Sequence, residues 1–185
     1  MNTEPRTDSP LLRTTLVLAL IALAAALRIA PHPWNFTPVG AMALFSGAVI
    51  RNRYIAMAFP LLAMFAGDVL VGFHKLMPVV YASFLLSVAI GSLLREKRSI
   101  VRIAGATFLG ALQFFLVTNL AVWAFLGSYP YTPAGLFACY VAGLPLFGNT
   151  LAGDALYATL LFGTLAALEH LLPAVREHIT VHHAN

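Results

Sequence analysis

The sequence predicts an all-α membrane protein built as a bundle of six transmembrane helices. Of the 185 residues, 60% are hydrophobic and only 10% are charged, whereas soluble domains average about 25% charged residues. Six apolar runs follow one another along the chain, and short polar or charged segments separate them. A soluble fold of this length cannot bury so much apolar surface, but a bilayer removes the need to bury it.

The length of each apolar run sets the predicted spans, because a helix needs about 20 mainly apolar residues to cross a bilayer. The membrane domain is predicted to cover residues 14–172, between cytoplasmic tails at 1–13 and 173–185. Its spans are placed at 14–30, 36–50, 54–73, 77–94, 103–126 and 150–172. Residues 134–147 are apolar but too short to span comfortably, and Pro145 interrupts their end. We therefore predict a short lid helix or re-entrant piece in the outer loop between the fifth and sixth helices.

The distribution of Lys and Arg predicts the orientation, because cytoplasmic loops of membrane proteins carry an excess of both residues. With the N-terminus inside, the cytoplasmic segments hold nine of the 11 Lys and Arg residues. The outer segments hold the other two, Arg28 and Lys75. This asymmetry predicts six spans with both termini in the cytoplasm. One alternative is that the first span is a cleaved signal peptide, which would leave five spans and spoil this charge pattern at the C-terminus.

Several function classes receive no support from the sequence. The net charge of +4 does not indicate a nucleic-acid partner, because a phosphate binder groups its Lys and Arg on one face. The single cysteine, Cys139, allows neither an intrachain disulfide nor a zinc site made of thiolates. No HExxH, GxSxG or phosphate-binding Gly-rich motif occurs, so we expect no enzyme, no resident metal and no cofactor.

Ionisable residues inside the apolar runs are the strongest functional signal. Each costs about 2.5–3.5 kcal/mol on insertion scales, which makes Asp68 and Asp154 functional candidates. At about 1.5 Å per residue, Asp68 lies about 7–8 Å below the outer membrane edge, Asp154 about 6 Å and Asn119 about 10 Å. The cytoplasmic halves of the spans are nearly free of such groups. We therefore predict a ligand pocket that opens to the outer face and is closed below.

The outer connections add further candidates, because they are rich in aromatic, His and Asn side chains. Aromatic side chains can stack on the apolar body of a ligand while a few polar groups orient it. The predicted substrate-binding residues are His32, Asn35, Asp68, His74, Tyr81, Asn119, Trp123, Tyr129 and Asp154. Residues 127–149 are predicted to order over the bound ligand. Each candidate also has a purely structural interpretation, as a link between helices, an interfacial aromatic residue or an ordinary loop residue.

Four runs of the sequence carry a resemblance to a known family. They are PHPWNFTPVGAMALFSGA at 31–48, AGDVLVGFHKLMPVVYASF at 66–84, FLVTNLAVW at 115–123 and YPYTPAGLFACYVAGLPLFGNTLAGDALY at 129–157. Together they resemble a prokaryotic membrane family of undefined function. That family is similar to S components, the substrate-binding subunits of energy-coupling factor (ECF) vitamin transporters, and to the solitary cobalamin transporters called BtuM.

The resemblance implies a six-helix protein of the prokaryotic cytoplasmic membrane, with a vitamin pocket near the outer face. It also implies a shared ECF coupling module as a candidate partner, besides membrane lipid. Ala22 and Ala26 match the AxxxA pair with which S components face their coupling subunit. The characterised cobalamin transporter ligates cobalt through a cysteine in the region of the third outer loop and following helix, but residues 74–84 contain none. Cobalt ligation would therefore fall to His32, His74 or Cys139.

The predicted function is the uptake of a small vitamin-like compound, with cobalamin as one candidate, through a pocket open to the outer face. Two alternatives remain. A membrane enzyme would use an Asp/His cluster as acid and base, and it requires His32 or His74 within hydrogen-bond reach of Asp68 or Asp154. An assembly subunit without a ligand would have no enclosed cavity.

Overall fold

The structure is a computed structural model that describes residues 10–28 and 33–175. Within these residues the chain is all-α, as the sequence predicted. The helices are α1 (Pro10–Leu27), α2 (Val39–Val49), α3 (Arg53–Val71), α4 (Met77–Ser92), α5 (Ile100–Phe125) and α6 (Pro133–Leu171), and a 3₁₀ turn follows at Pro173–Val175. Most observed ends of α1 to α5 lie within a few residues of the predicted ones. His32 and most of the two tails lie outside the described residues.

Helix length separates the six helices into two groups. The helices α1, α3, α5 and α6 are long and apolar enough to cross a membrane, which indicates a multi-pass membrane protein. The helices α2 and α4 have 11 and 16 residues. At about 1.5 Å per residue they are about 16 Å and 24 Å long, shorter than the ~30 Å hydrocarbon core. The structure therefore shows four helices of membrane-spanning length and two shorter apolar ones, and six full spans stay a prediction.

The start of α6 differs from the sequence prediction. Residues 134–147 do not form a separate short helix but the first part of a continuous helix of 39 residues. The start carries strong local signals, since the Thr132 hydroxyl accepts a hydrogen bond from the Gly135 N–H at 3.1 Å and Pro133 begins the helix. We expected Pro145 to interrupt the segment, but it lies inside the helix. Proline is tolerated within apolar helices when neighbouring groups compensate for the missing N–H.

The short helix α2 lies at the centre of the bundle. All of its residues except Gly40 are buried, and it packs against each of the other five helices. Its crossing with α4 is tight, because a Cβ added at Gly47 would overlap the Val88 carbonyl and one added at Gly91 would overlap the Leu44 carbonyl. Small residues at such crossings let apolar helices approach closely. The surrounding helices therefore hold α2 in place along its full length.

Contacts between distant segments define two ends of the bundle. At the first, which we call the arginine end, Arg13 and Arg98 lie 3.4 Å and 3.8 Å from the carboxylate of Glu169. At the second, which we call the carboxylate end, Arg28 after α1 lies 3.5 Å from Asp68 near the end of α3. Asp154 belongs to the carboxylate end as well, because it lines the same cavity as Asp68; their matching depth in a membrane stays a prediction. The side of the membrane that each end faces stays a prediction.

Candidate ligand-binding site

A cavity of about 510 Å³ opens at the carboxylate end of the bundle. This volume falls within the ~300–1,000 Å³ of small-molecule pockets. The start of α2 and one face each of α3, α4, α5 and α6 form its wall. Its charged and polar lining includes Arg28, Asn35, Thr37, Asp68, His74, Ser87, Thr118, Asn119, Thr150 and Asp154, and its apolar lining includes Met64, Val80, Phe84, Phe114, Phe115, Val122, Leu146 and Phe147. The cavity thus combines charged and polar groups with apolar side chains, four of which are phenylalanines.

Asp68 is held by partners on two other segments. Its side chain is almost completely buried, and the Tyr81 hydroxyl on α4 donates a hydrogen bond to its Oδ2 at 2.7 Å. The Arg28 guanidinium lies 3.5 Å from its Oδ1. Both carboxylate oxygens are therefore engaged, and the charge of Asp68 is offset by that of Arg28. This network ties the end of α1 to α3 and α4 at the edge of the cavity.

Asp154 is held differently, by the backbone of α2. Its Oδ1 accepts a hydrogen bond from the Ala41 N–H at 3.0 Å, in the first turn of α2. The residue at the N-cap position is Pro38, which makes no side-chain capping bond, so Asp154 caps α2 from another helix. A carboxylate is favourable there because a helix N-terminus carries a partial positive charge. Gly40 makes room for this contact, since a Cβ at that position would overlap the Asp154 carboxylate.

Asn119 joins α5 to α6 and also lines the cavity. Its Nδ2 donates to the Phe115 carbonyl at 2.9 Å, and the Cys139 thiol donates to its backbone carbonyl at 3.4 Å. Gly143 of α6 faces its side-chain amide directly. Asn119 is therefore both a helix link and part of the wall, which combines the two interpretations of the sequence analysis. Cys139 itself is buried and does not line the cavity.

The structure brings five of the nine predicted site residues to the cavity lining: Asn35, Asp68, His74, Asn119 and Asp154. Tyr81 stands behind the wall and acts on the cavity through its hydrogen bond to Asp68.

Two of the predicted aromatic residues do not line the cavity. The Trp123 indole instead donates to the Pro130 carbonyl at 2.9 Å and stacks edge-on against Tyr131. This contact closes the α5–α6 connection, to which Tyr129 also belongs. Trp123 and Tyr129 therefore lie outside the cavity lining, in the segment predicted as the lid, and their predicted contact with a substrate stays a prediction.

Ala22 and Ala26 lie exposed on α1, away from the face on which Val17, Ile21 and Ala24 are buried. Their exposure leaves the α1 surface open to a neighbouring helix or to lipid. The predicted contact with a partner helix stays a prediction.

Arg28 and the phenylalanine side chains of the wall were not among the residues predicted from the sequence. Arg28 was counted only as an outer basic residue, although a charge at the end of an apolar run is itself a signal for a buried partner. Phe84, Phe114, Phe115 and Phe147 gave no such signal. An apolar side chain within a membrane helix can face either lipid or the interior, so the sequence pattern does not separate the two.

No acid–base pair of the kind that a membrane enzyme would need is formed by the residues that the structure describes. Hydrogen bonds and ion pairs to Asp68 and Asp154 within these ranges come from Tyr81, Arg28 and the Ala41 N–H, and none comes from His74. In the same ranges, no three His, Cys, Asp or Glu side chains come close enough together to hold a metal ion.

A protein-family model matches most of the chain. The model of a "Family of unknown function (DUF6580)" matches residues 9–175. The chain belongs to this family. No curated protein and no solved structure matches it. The family match includes every cavity-lining residue named above, so the candidate site lies within the matched region.

Proposed function

We propose that this family member binds a small vitamin-like compound in the cavity at the carboxylate end and carries it across the membrane. The observation that supports this most directly is the meeting of Asp68, Asn119 and Asp154, from three different helices, in one cavity. Polar groups that converge on an apolar-walled cavity are the usual mark of a small-molecule site.

The two buried carboxylates carry an energetic cost that favours a binding role. Asp68 is 4% exposed and Asp154 is 5% exposed, in helices that are apolar enough to lie in a membrane or pack within one. A buried ionisable group in such surroundings is costly and is rarely kept without a function. Helix packing alone would be served equally well by uncharged side chains, whereas a polar ligand requires charged or hydrogen-bonding groups on the wall.

The size of the cavity narrows the range of ligands. A volume of about 510 Å³ suits a compound of ordinary drug or vitamin size. Cobalamin, with its corrin ring, amide side chains and nucleotide loop, is much larger than a compound that fills such a volume. We therefore favour a smaller ligand than cobalamin.

We further propose the membrane arrangement of an S component, with six helices and the carboxylate end on the outer side. The basic residues Arg13, Arg95 and Arg98 cluster at the other end, as expected for a cytoplasmic face. The connection at 126–132 and the start of α6 would then cover the mouth, because Leu146 and Phe147 already line the cavity. The exposed Ala22 and Ala26 would face a coupling subunit if one is shared.

The test is to purify the full-length protein in detergent and identify retained small molecules by mass spectrometry. We expect one compound to copurify with the wild-type protein, and to be reduced at least about tenfold by Asp154→Asn, since a buried charge-assisted contact is worth about 1.5–3 kcal/mol. Thr159→Ala is a matched control, because Thr159 lies on α6 outside this cavity and bonds only within its own helix. Retention that is equal in all three proteins would refute the assignment of the site.

A further inference from the structure

We propose that the ligand is an organic cation with an apolar or aromatic body, and that Asp154 is its counter-ion. This inference rests on the proposed binding function, and it specifies the charge of the compound that the cavity selects.

The charges on the cavity wall do not cancel completely. The lining includes Arg28, Asp68 and Asp154 as its charged side chains. Arg28 and Asp68 lie 3.5 Å apart and neutralise each other, and the second oxygen of Asp68 accepts a hydrogen bond from the Tyr81 hydroxyl. Among the lining residues that the structure describes, Asp154 is therefore the one whose charge no opposite side-chain charge offsets.

The two carboxylate oxygens of Asp154 differ in their contacts. The side chain of Asp154 is 5% exposed, and its Oδ1 accepts a hydrogen bond from the Ala41 N–H. Within residues 10–28 and 33–175, nothing donates a hydrogen bond to Oδ2, and no Lys, Arg or His side chain lies within ion-pairing distance of the carboxylate. One backbone N–H does not offset the loss of hydration of a buried carboxylate. A cationic group in the cavity would supply the missing partner.

Two pairs of phenylalanine rings line the cavity that contains Asp154. Phe84 and Phe114 pack with ring centroids 5.1 Å apart, and Phe115 and Phe147 with centroids 5.0 Å apart. All four line the same cavity as Asp154. Aromatic faces attract a cation within about 6 Å of the ring centroid, and they also accommodate an apolar body. Carboxylate and rings together thus form the two recognition elements for a cationic group.

The main rival is an anionic ligand at the start of α2, where a helix N-terminus attracts negative charge. In this structure Asp154 already occupies that position through the Ala41 N–H. An anion would have to displace or face a buried carboxylate, which is unfavourable. The geometry therefore disfavours an anion at the same place where it favours a cation.

The experiment compares three probes of similar size on the purified full-length protein, by calorimetric titration. The probes are benzyltrimethylammonium, benzyl alcohol and phenylacetate. We expect the cation to bind the wild-type protein at least about tenfold more tightly than either other probe, which corresponds to about 1.4 kcal/mol. In Asp154→Asn the preference for the cation should disappear, because the negative charge is gone. Benzyl alcohol should bind as before, because the amide oxygen can still accept the hydrogen bond from the Ala41 N–H and keep α2 in place.

Two controls make the outcome decisive. Thr159→Ala should keep the preference for the cation, and Asp154→Glu should keep a weaker form of it. If phenylacetate or benzyl alcohol binds the wild-type protein as tightly as the cation, the inference is wrong while the proposed binding function stands. If no probe binds and no compound copurifies, both fail. Since the wild-type comparison needs no variant, the inference can be refuted even if Asp154→Asn does not fold.

Discussion

Two hollows of similar size lie in this bundle, and their walls differ in kind. The cavity at the carboxylate end has a volume of about 510 Å³, and a groove between α5 and α6, toward the arginine end, has about 570 Å³. The groove is lined mainly by small and apolar side chains, among them Ala104, Ala155, Ala158, Phe162, Gly163, Leu165 and Ala166. Its charged residues are Arg98 and Glu169, which pair with each other at 3.8 Å.

The comparison teaches that volume alone does not mark a binding site in a membrane protein. Lipid chains satisfy an apolar groove without any specific contact, because the lining and the lipid are equally apolar. A buried carboxylate such as Asp154 has no such general solution, since its charge needs a particular partner. Chemistry therefore distinguishes the two hollows, and substitutions at matched positions in each can test the distinction.

The largest expected difference is between the two ion pairs. Asp68→Leu leaves the Arg28 guanidinium at the cavity without its carboxylate, and breaking such a buried pair costs about 3–5 kcal/mol. Glu169→Gln, in the groove, should cost about 1 kcal/mol or less, because its ion pairs with Arg13 and Arg98 are more exposed to solvent. Unfolding of both variants by denaturant in the same detergent would measure the difference. The double variant Asp68→Leu with Arg28→Met should recover part of the loss, and equal losses at the two ends would contradict the comparison.

A second difference is expected between two glycines. Gly40→Ala places a methyl group against the Asp154 carboxylate and should cost about 1–3 kcal/mol, as overpacking usually does. Gly163→Ala, in the groove, meets nothing within 4 Å and should be neutral or slightly stabilising, because alanine favours a helix more than glycine does. Thermal unfolding of the two variants beside the wild-type protein checks the prediction. A Gly40→Ala variant as stable as Gly163→Ala would show that Asp154 does not need its contact with α2.

The third expected effect is on the hydrogen bond between Tyr81 and Asp68. Tyr81→Phe removes a 2.7 Å bond to a buried carboxylate and should lower the free energy of unfolding by about 1.5–3 kcal/mol. Tyr131→Phe is the control, because its hydroxyl makes an exposed 3.4 Å contact with the Ala124 carbonyl. That control should change stability by no more than about 0.5 kcal/mol. Indistinguishable denaturation midpoints for the two variants would argue against the Asp68 network.

The smallest expected effect concerns the outer surface of α1. Ala22→Leu and Ala26→Leu point away from the bundle, so each should change the stability of the isolated protein by less than about 0.5 kcal/mol. If this face contacts a partner helix, the same changes should reduce transport in cells while leaving binding by the purified protein intact. If cells that express either variant take up the bound compound as fast as wild-type cells do, the predicted contact with a partner helix is wrong.

The sequence by itself determined the helical membrane character and the two carboxylates that stand out. Both follow from local properties: the length of an apolar run sets whether a helix can cross a bilayer, and a charge within such a run is costly wherever it lies. The prediction that Asp68 and Asp154 share a depth needed only the rise of a helix per residue. The structure places both on one cavity, although sequence spacing alone did not reveal which groups they contact.

Tertiary structure decided the rest. Pro145 interrupts a helix or continues it according to what its neighbours supply, so the continuous α6 was not visible in the local sequence. Phe114 and Phe115 face the cavity because of how α5 packs, since lipid and protein interior accept the same apolar side chains. Arg28 reaches Asp68 only because α1 ends beside α3. Contacts between distant segments decide such features, and in a membrane the apolar pattern that marks the interior of a soluble protein is absent.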